Sequence, residues 1–242
     1  MSNPALIAHR GGSLEAPENT LAAFRHAISL GIRFVECDVQ MSRDGQLVVM
    51  HDETLDRTTN GTGYLRDHTF EELRRLDAGA WFGPQFAGER IPSLREVVEL
   101  CAEEGAGLVV ELKAPHINVG IERKVAALIA EMWIQGVDDI WCISFDHEAI
   151  RRMYALDPAL NLGYLYLPGT DFSRADHIVQ AVCPYFGAAL EHPEQVDNAH
   201  RLGKLVFVWT VNDPAHMLSL ARIGVDGIVS DRPSLLLQTF SP

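Results

Sequence analysis

Glu36 and Asp38 stand two residues apart in RFVECDVQ, and Glu111 and Lys113 keep the same spacing in LVVELKAP. Side chains alternate across a strand, so each pair shares one face, with Cα atoms about 6–7 Å apart at ~3.3 Å per residue. Cys37 and Leu112 then point to the opposite, helix-covered side. Three carboxylates converging from neighbouring strands repel one another unless a cation joins them. An oxygen-only ligand set favours Mg²⁺ or Ca²⁺ over zinc. His9 and Arg10 follow an apolar run in LIAHRGGS. The guanidinium of Arg10 is a planar fork suited to phosphate. Gly11 and Gly12 let the backbone turn and a ligand come close.

A second histidine is aimed at the same place. In MSRDGQLVVMHD, the pair Asp44-Gly45 lies between two apolar runs, a strong hairpin signal. A two-residue turn there pairs Arg43 with Gln46 and sets Asp38 opposite His51, with Cβ atoms about 4.5–5.5 Å apart. Two histidines, a cation site, Arg10 and Lys113 form a constellation for phosphodiester chemistry. One histidine serves as base and the other as acid, while the cation, Arg10 and Lys113 stabilise the growing phosphoryl charge. The remaining histidines (26, 68, 116, 147, 177, 192, 200 and 216) fall in helical or loop contexts and are expected to be structural or solvated. The acidic pairs Glu71-Glu72 and Glu103-Glu104 are expected on solvated helix faces.

The elements that must carry these groups recur along the chain. Eight short apolar runs are candidate strands: 5–8, 33–39, 108–112, 140–143, 162–165, 185–189, 205–209 and 227–229. Amphipathic segments separate most of them. Leu21, Phe24 and Ile28 keep helical spacing between Pro17 and Gly31. Val97, Leu100 and Cys101 form a second such stripe, and Val125, Leu128, Ile129 and Met132 a third. Pro214 and Pro233 open two more helices. Eight strands alternating with helices predict a (β/α)₈ TIM barrel, an α/β fold whose active site lies at the carboxyl ends of the strands. A doubly wound open sheet competes, but it would show fewer strands, and the chain has neither GxGxxG nor GxxxxGK[ST].

The whole chain, 1–242, is expected to be one barrel domain with an insertion at about 54–92, after the second strand. Long barrel insertions usually serve the active-site face. This one holds a short helical piece at 70–76, and Trp81, Phe82 and Phe86, expected to form its own small core rather than the alternative, an exposed apolar rim for a membrane.

Composition narrows the partners. The net charge of −13 argues against nucleic acid and anionic membranes, both of which need a basic face. Cys37, Cys101, Cys142 and Cys183 form no CxxC pair and are expected as reduced, buried thiols, which fits a cytoplasmic location. No apolar run reaches 18 residues, and the first residues lack a signal-peptide pattern. A small-molecule phosphodiester is the expected partner, without stable membrane insertion; a homo-oligomer is left open.

Taken together, AHRGGSLEAPENTLAAF, VECDVQMSRDGQLVVMHDETLDRTTNGTG, IPSLREV, VELK, VWTVN and GVDGIVSDRP resemble the glycerophosphodiester phosphodiesterase family, over about residues 7–233. The resemblance implies a (β/α)₈ barrel hydrolase that cleaves glycerophosphodiesters to glycerol 3-phosphate and an alcohol, with Mg²⁺ or Ca²⁺. It implies His9 and His51 as the acid–base pair and Glu36, Asp38 and Glu111 as metal ligands. Arg10 and Lys113 match phosphate-contacting positions, and Trp209 resembles a substrate-pocket aromatic or is a core residue. Asn19, in PENT, matches a substrate-binding position or caps the helix that begins near Pro17. The compact insertion resembles the short bacterial forms. Two mechanisms stay open: attack by the neighbouring glycerol hydroxyl to give a cyclic phosphate, or direct attack by water. Two other functions compete. One is a lysophospholipase D or phosphoinositide-type phosphodiesterase. The other is a non-catalytic metal-binding barrel, which a missing histidine or carboxylate would mark; none is missing.

Overall fold

The alternation in β2, Phe34–Met41, sets the architecture. Val35, Cys37 and Val39 are buried among helices, whereas Phe34 packs with the opposite, inner layer. The computed structural model describes residues 3–134, 139–172 and 176–240. Its parallel strands are β1 (Ala5–Ala8), β2, β4 (Gly107–Leu112), β5 (Ile140–Ser144), β6 (Asn161–Tyr166), β7 (Ala181–Pro184), β8 (Leu205–Val208) and β9 (Gly227–Ser230). Hydrogen bonding runs β1-β9-β8-β7-β6-β5-β4-β2, and β1 also pairs with β2, so the sheet closes. This is the expected TIM barrel. Ile7, Val109, Ile143, Leu165, Ala181, Cys183, Phe207 and Val229 fill its interior.

The helices that pack outside include α1 (Leu21–Leu30), α3 (Leu94–Glu104), α4 (Ile121–Ile134), α5 (His147–Leu156), α7 (Pro193–Arg201), α8 (Pro214–Arg222) and α9 (Pro233–Phe240). Val97, Leu100, Cys101, Val125, Leu128, Ile129 and Met132 all join the sheet–helix core, as their spacing predicts. The four cysteines are free and buried. Among the described residues no helix is long and apolar enough to cross a membrane.

Four sequence expectations are corrected. The sixth candidate strand, 185–189, is not a strand: β7 is Ala181–Pro184, and residues Phe186–Glu191 form helix α6. Pro184 brings no N–H to the ladder, and the Ala-rich run after it favours helix. The helical piece of the insertion, α2, spans only Phe70–Leu73, within a Thr69–Glu72 capping box. Helix α1 is capped by Thr20, whose hydroxyl accepts from the Ala23 N–H, so Asn19 is not its cap. The insertion's core is Val48, Met50, Leu55, Leu65, Leu73, Ala78 and Ile91, without the three aromatics. Trp81, Phe82 and Phe86 contact one another edge to face, with Trp81 exposed.

The hairpin is real, but its register differs. Strand β3, Leu47–Val49, pairs antiparallel with β2 as Val39↔Val49, Gln40↔Val48 and Met41↔Leu47. The loop is therefore Arg43-Asp44-Gly45, closed by Ser42 N–H to Gln46 at 3.0 Å. A two-residue turn of the common hairpin type needs positive φ at both central residues. Only Gly45 has it, at 75°. Asp44 instead accepts from the Ser42 hydroxyl at 2.6 Å and the Phe70 N–H at 2.9 Å. Asp38 consequently lies opposite Met50, whose N–H donates to its carbonyl, and not opposite His51.

Candidate active site

Strand β1 ends by turning sharply. Arg10, Gly11 and Gly12 all have positive φ, at 52°, 80° and 102°. A Cβ on Gly11 would meet Ala23 at 2.7 Å, so this loop can rest on α1 only with glycine. The turn leaves His9 pointing over the barrel mouth. Its Nδ1 donates to Asp231 Oδ1 at 2.6 Å, and its Nε2 is 3.9 Å from Glu36 Oε2. Asp231 follows β9 and also accepts from Ser13 Oγ at 2.5 Å and Asn212 Nδ2 at 2.6 Å. Burial opposes the charge on Asp231, but these bonds and His9 hold it far below the ordinary carboxylate range. Burial pulls His9 down, yet the Asp231 bond and the Glu36 charge keep it above the usual histidine value.

The carboxylates meet as the strand register requires. Asp38 pairs directly with Glu111, and Glu36 lies one inward position below Asp38 on β2. All three are buried, and each offers an oxygen within 4.8 Å of the others. Burial and the charge of Asp38 push Glu36 up to about 8, and raise Glu111. Burial acts to raise Asp38 as well, but Arg10 and Lys113 outweigh it and leave it below normal. The repulsion thus falls on the two glutamates, because Asp38 has both Arg10 and Lys113 near it while Glu111, among the described residues, has the hydrogen bond of Lys113 alone. Lys113 Nζ donates to Glu111 Oε1 at 2.8 Å and lies 3.5 Å from Asp38 Oδ1. Arg10 Nε lies 3.2 Å from Asp38 Oδ2.

This donor set fits a divalent cation. Asp38 Oδ1 is buried without a hydrogen-bond partner, and its two neighbours are carboxyl groups that ionise only with difficulty. A hard cation satisfies the orphaned oxygen and removes the repulsion at once.

His51 reaches the mouth by a route the register does not supply. After Val49 the chain leaves the ladder. Gln40 Nε2 then donates to the carbonyls of Met50, His51 and Asp52 at 2.9, 3.1 and 2.7 Å. His51 Nδ1 donates to Asp52 Oδ1 at 2.7 Å, so this ring too turns its Nε2 outward. Burial lowers the His51 pKa, with Asp38 opposing and Lys113 and Arg10 reinforcing it. Hydrogen bonds from Arg57 hold Asp52 far below the carboxylate range.

His9, Arg10, Glu36, His51, Glu111, Lys113 and Trp209 line one pocket, while Asp38 is fully buried behind Glu36 and Glu111 and does not line it. Trp209 is fixed by its Nε1–H to Cys183 carbonyl, 2.8 Å, and meets the edge of Phe145. Asn19 does not line this pocket either. Its Nδ2 donates to Asp38 Oδ2 at 2.8 Å and its Oδ1 accepts from the Asp38 N–H at 3.2 Å. Sequence reasoning missed Asp231, Asp52, Glu18 and Arg57. Two signals were available: Asp52 adjoins His51, and Asp231 ends the strand that must close against β1. Among the described residues, non-glycine residues with positive φ are Arg10, Asn19 and Ala114, the last directly after Lys113. Strained backbone is thus concentrated around the pocket.

The glycerophosphodiester phosphodiesterase of Caldanaerobacter subterraneus is 40% identical over 238 residues, covering 96% of both chains. A phosphodiesterase of Oleispira antarctica, solved in complex with the product sn-glycerol-3-phosphate, superposes with TM-score 0.88 at 34% identity, over 99% of this chain and 98% of that one. The Agrobacterium tumefaciens glycerophosphodiester phosphodiesterase gives 0.84 at 32%, over 97% and 99%. The profile of the glycerophosphoryl diester phosphodiesterase family matches residues 9–235, and with these likenesses it shows that the chain belongs to that family.

Proposed function

We propose that this protein hydrolyses glycerophosphodiesters to glycerol 3-phosphate and an alcohol, using a divalent cation held by Glu36, Asp38 and Glu111. The observation that carries this reading is the meeting of three buried carboxylates and two carboxylate-bound histidines at one pocket. When bound, Mg²⁺ or Ca²⁺ supplies a positive centre against which phosphoryl charge develops. Arg10 and Lys113 bind the phosphoryl oxygens from the same rim. His51, held neutral with its Nδ1–H on Asp52, takes the proton of the attacking oxygen at Nε2. His9, kept protonated by Asp231, gives a proton to the departing alcohol oxygen as its bond to phosphorus breaks. Trp209 forms the pocket wall, and Asn19 acts through Asp38.

The opposite wall is apolar, built from Ile143, Phe145, Leu165 and Phe207. That favours, as a second reading, lyso-phospholipids with an apolar chain. We also read the chain as one barrel domain with its insertion at about 54–92, acting on small molecules rather than nucleic acid. The four free, buried cysteines support a cytoplasmic site of action.

The test is a panel of glycerophosphodiesters and lyso-phospholipids assayed for released glycerol 3-phosphate, or for its lysophosphatidate counterpart, with Mg²⁺, Ca²⁺ or chelator. Release from glycerophosphodiesters under at least one cation is expected. No turnover of any member under either cation would overturn the reading.

A further inference from the structure

In HDETLDR, Asp52 and Arg57 are five residues apart on the segment that follows β3. The loop is held from within: buried Thr59 donates its hydroxyl to the Leu55 carbonyl at 2.7 Å and accepts from the Gly61 N–H at 2.9 Å. From this loop the guanidinium of Arg57 takes two carboxylates at once. Its Nε and Nη2 donate to Asp52 Oδ2 and Oδ1 at 2.7 and 3.0 Å. Its Nη1 and Nη2 donate to Glu18 Oε2 and Oε1 at 2.7 and 2.8 Å. Each carboxylate also holds a pocket residue. Asp52 binds His51 Nδ1, and Glu18 binds Arg10 Nη1 at 3.0 Å. An unbroken polar chain thus runs His51–Asp52–Arg57–Glu18–Arg10.

We propose that Arg57 is a positioning residue that sets His51 and Arg10 relative to each other, so that the insertion carries part of the site's alignment. It does not line the pocket. The proposal rests on the roles given above to His51 and Arg10. Without Arg57, Asp52 keeps only its contact with His51, and the largely buried Glu18 loses two of its three donors. Arg10 then has a freer partner, and the His51 ring a freer carboxylate. Lysine is no substitute, because a point charge cannot grip two carboxylates bidentately. The competing view is an ordinary surface ion pair, since 45% of the Arg57 side chain is exposed. Such pairs add little stability and leave turnover alone.

Kinetics on a glycerophosphodiester at saturating cation separate the two. Arg57→Ala is expected to fold and to lose about 10–100-fold in kcat, the scale seen when a group supporting a ligand's orientation is removed. KM should rise as Arg10 loosens. Asp52→Ala should reproduce the kcat loss, and the double variant should be no worse in kcat than either single one, because the residues act in series. Added guanidinium should restore part of the Arg57→Ala activity and ammonium should not. Arg57→Lys should stay impaired. Wild-type kcat and KM in folded Arg57→Ala, or losses that multiply in the double variant, would overturn the proposal. Should Arg57→Ala not fold, wild-type kinetics in both Asp52→Ala and Glu18→Gln would do the same. A His51→Ala control separates causes. An inactive His51→Ala beside a fully active Arg57→Ala sinks the network alone; a fully active His51→Ala sinks the catalytic reading and the network with it.

Discussion

His9 Nδ1 and Asp231 Oδ1 lie 2.6 Å apart although 222 positions separate them in the chain. Pairing of β1 with β9 brings them together, since Ala8 is in register with Ser230. An ionised carboxylate only accepts, so one ring proton stays on Nδ1 and the proton that takes part in chemistry is the one on Nε2. Asp231→Asn removes that constraint. Turnover should fall ~10²-fold or more, the scale of losing acid–base catalysis, while cation affinity stays near wild type. Steady-state kinetics paired with calorimetric cation titration check both halves. Unchanged turnover would mean that Asp231 does not orient His9.

The two histidines should separate by leaving group. His9→Ala and His51→Ala are each expected to lose ~10²-fold or more on a natural glycerophosphodiester. On a p-nitrophenyl diester the leaving group needs no proton, so His9→Ala should recover most of its deficit and His51→Ala should not. The reverse pattern would exchange their roles.

Removing the cation should abolish activity, and its binding should depend on pH with a definite sign. Glu36 ordinarily titrates at 4.5 but is pushed up to about 8 in the fold. Between those values the metal-free folded state holds a proton that the unfolded state has lost. Stability therefore falls as pH rises through that window. A cation takes the proton's place, so the Tm gain from added Mg²⁺ or Ca²⁺ should grow over the same range. Glu36→Gln, always neutral, should flatten the metal-free slope and lose the cation effect. Thermal scans from pH 5 to 9 on both proteins measure this (the range is about that of the window). A metal-free wild type that gains stability towards pH 8 relative to Glu36→Gln would contradict it.

Asn19 makes a further test. It grips Asp38 at both its N–H and its carboxylate. Asn19→Ala should cost about 1–3 kcal/mol, since it leaves buried polar groups of Asp38 unpaired. It should also weaken cation binding about 10–100-fold. Chemical denaturation and calorimetry would record the two effects. A normal cation affinity would limit Asn19 to a structural part.

Much of this was legible along the chain because it depends on local rules. The period-two pattern of RFVECDVQ and VELK decided which residues face inward, and so grouped Glu36, Asp38, Glu111 and Lys113. Helix spacing and punctuation by proline and glycine gave the alternation, and from it the barrel. Local rules failed where side chains chose between near-equal options. Asp44 gave its carboxylate to Ser42 and Phe70, which lengthened the turn by one residue and moved the hairpin register. His51 still reaches the pocket because Gln40 gathers three carbonyls beyond the ladder.

The sequence by itself determined the inward carboxylates, the two histidines, the barrel and the family resemblance, since strand periodicity and motif spacing are properties of neighbouring residues. Only the tertiary structure decided who holds them. Asp231 on His9, Asn19 on Asp38 and Arg57 between Asp52 and Glu18 join loops from separate strand ends. Barrel closure brings those ends within hydrogen-bond reach, and hydrogen bonds act over about 3 Å whatever the distance along the chain.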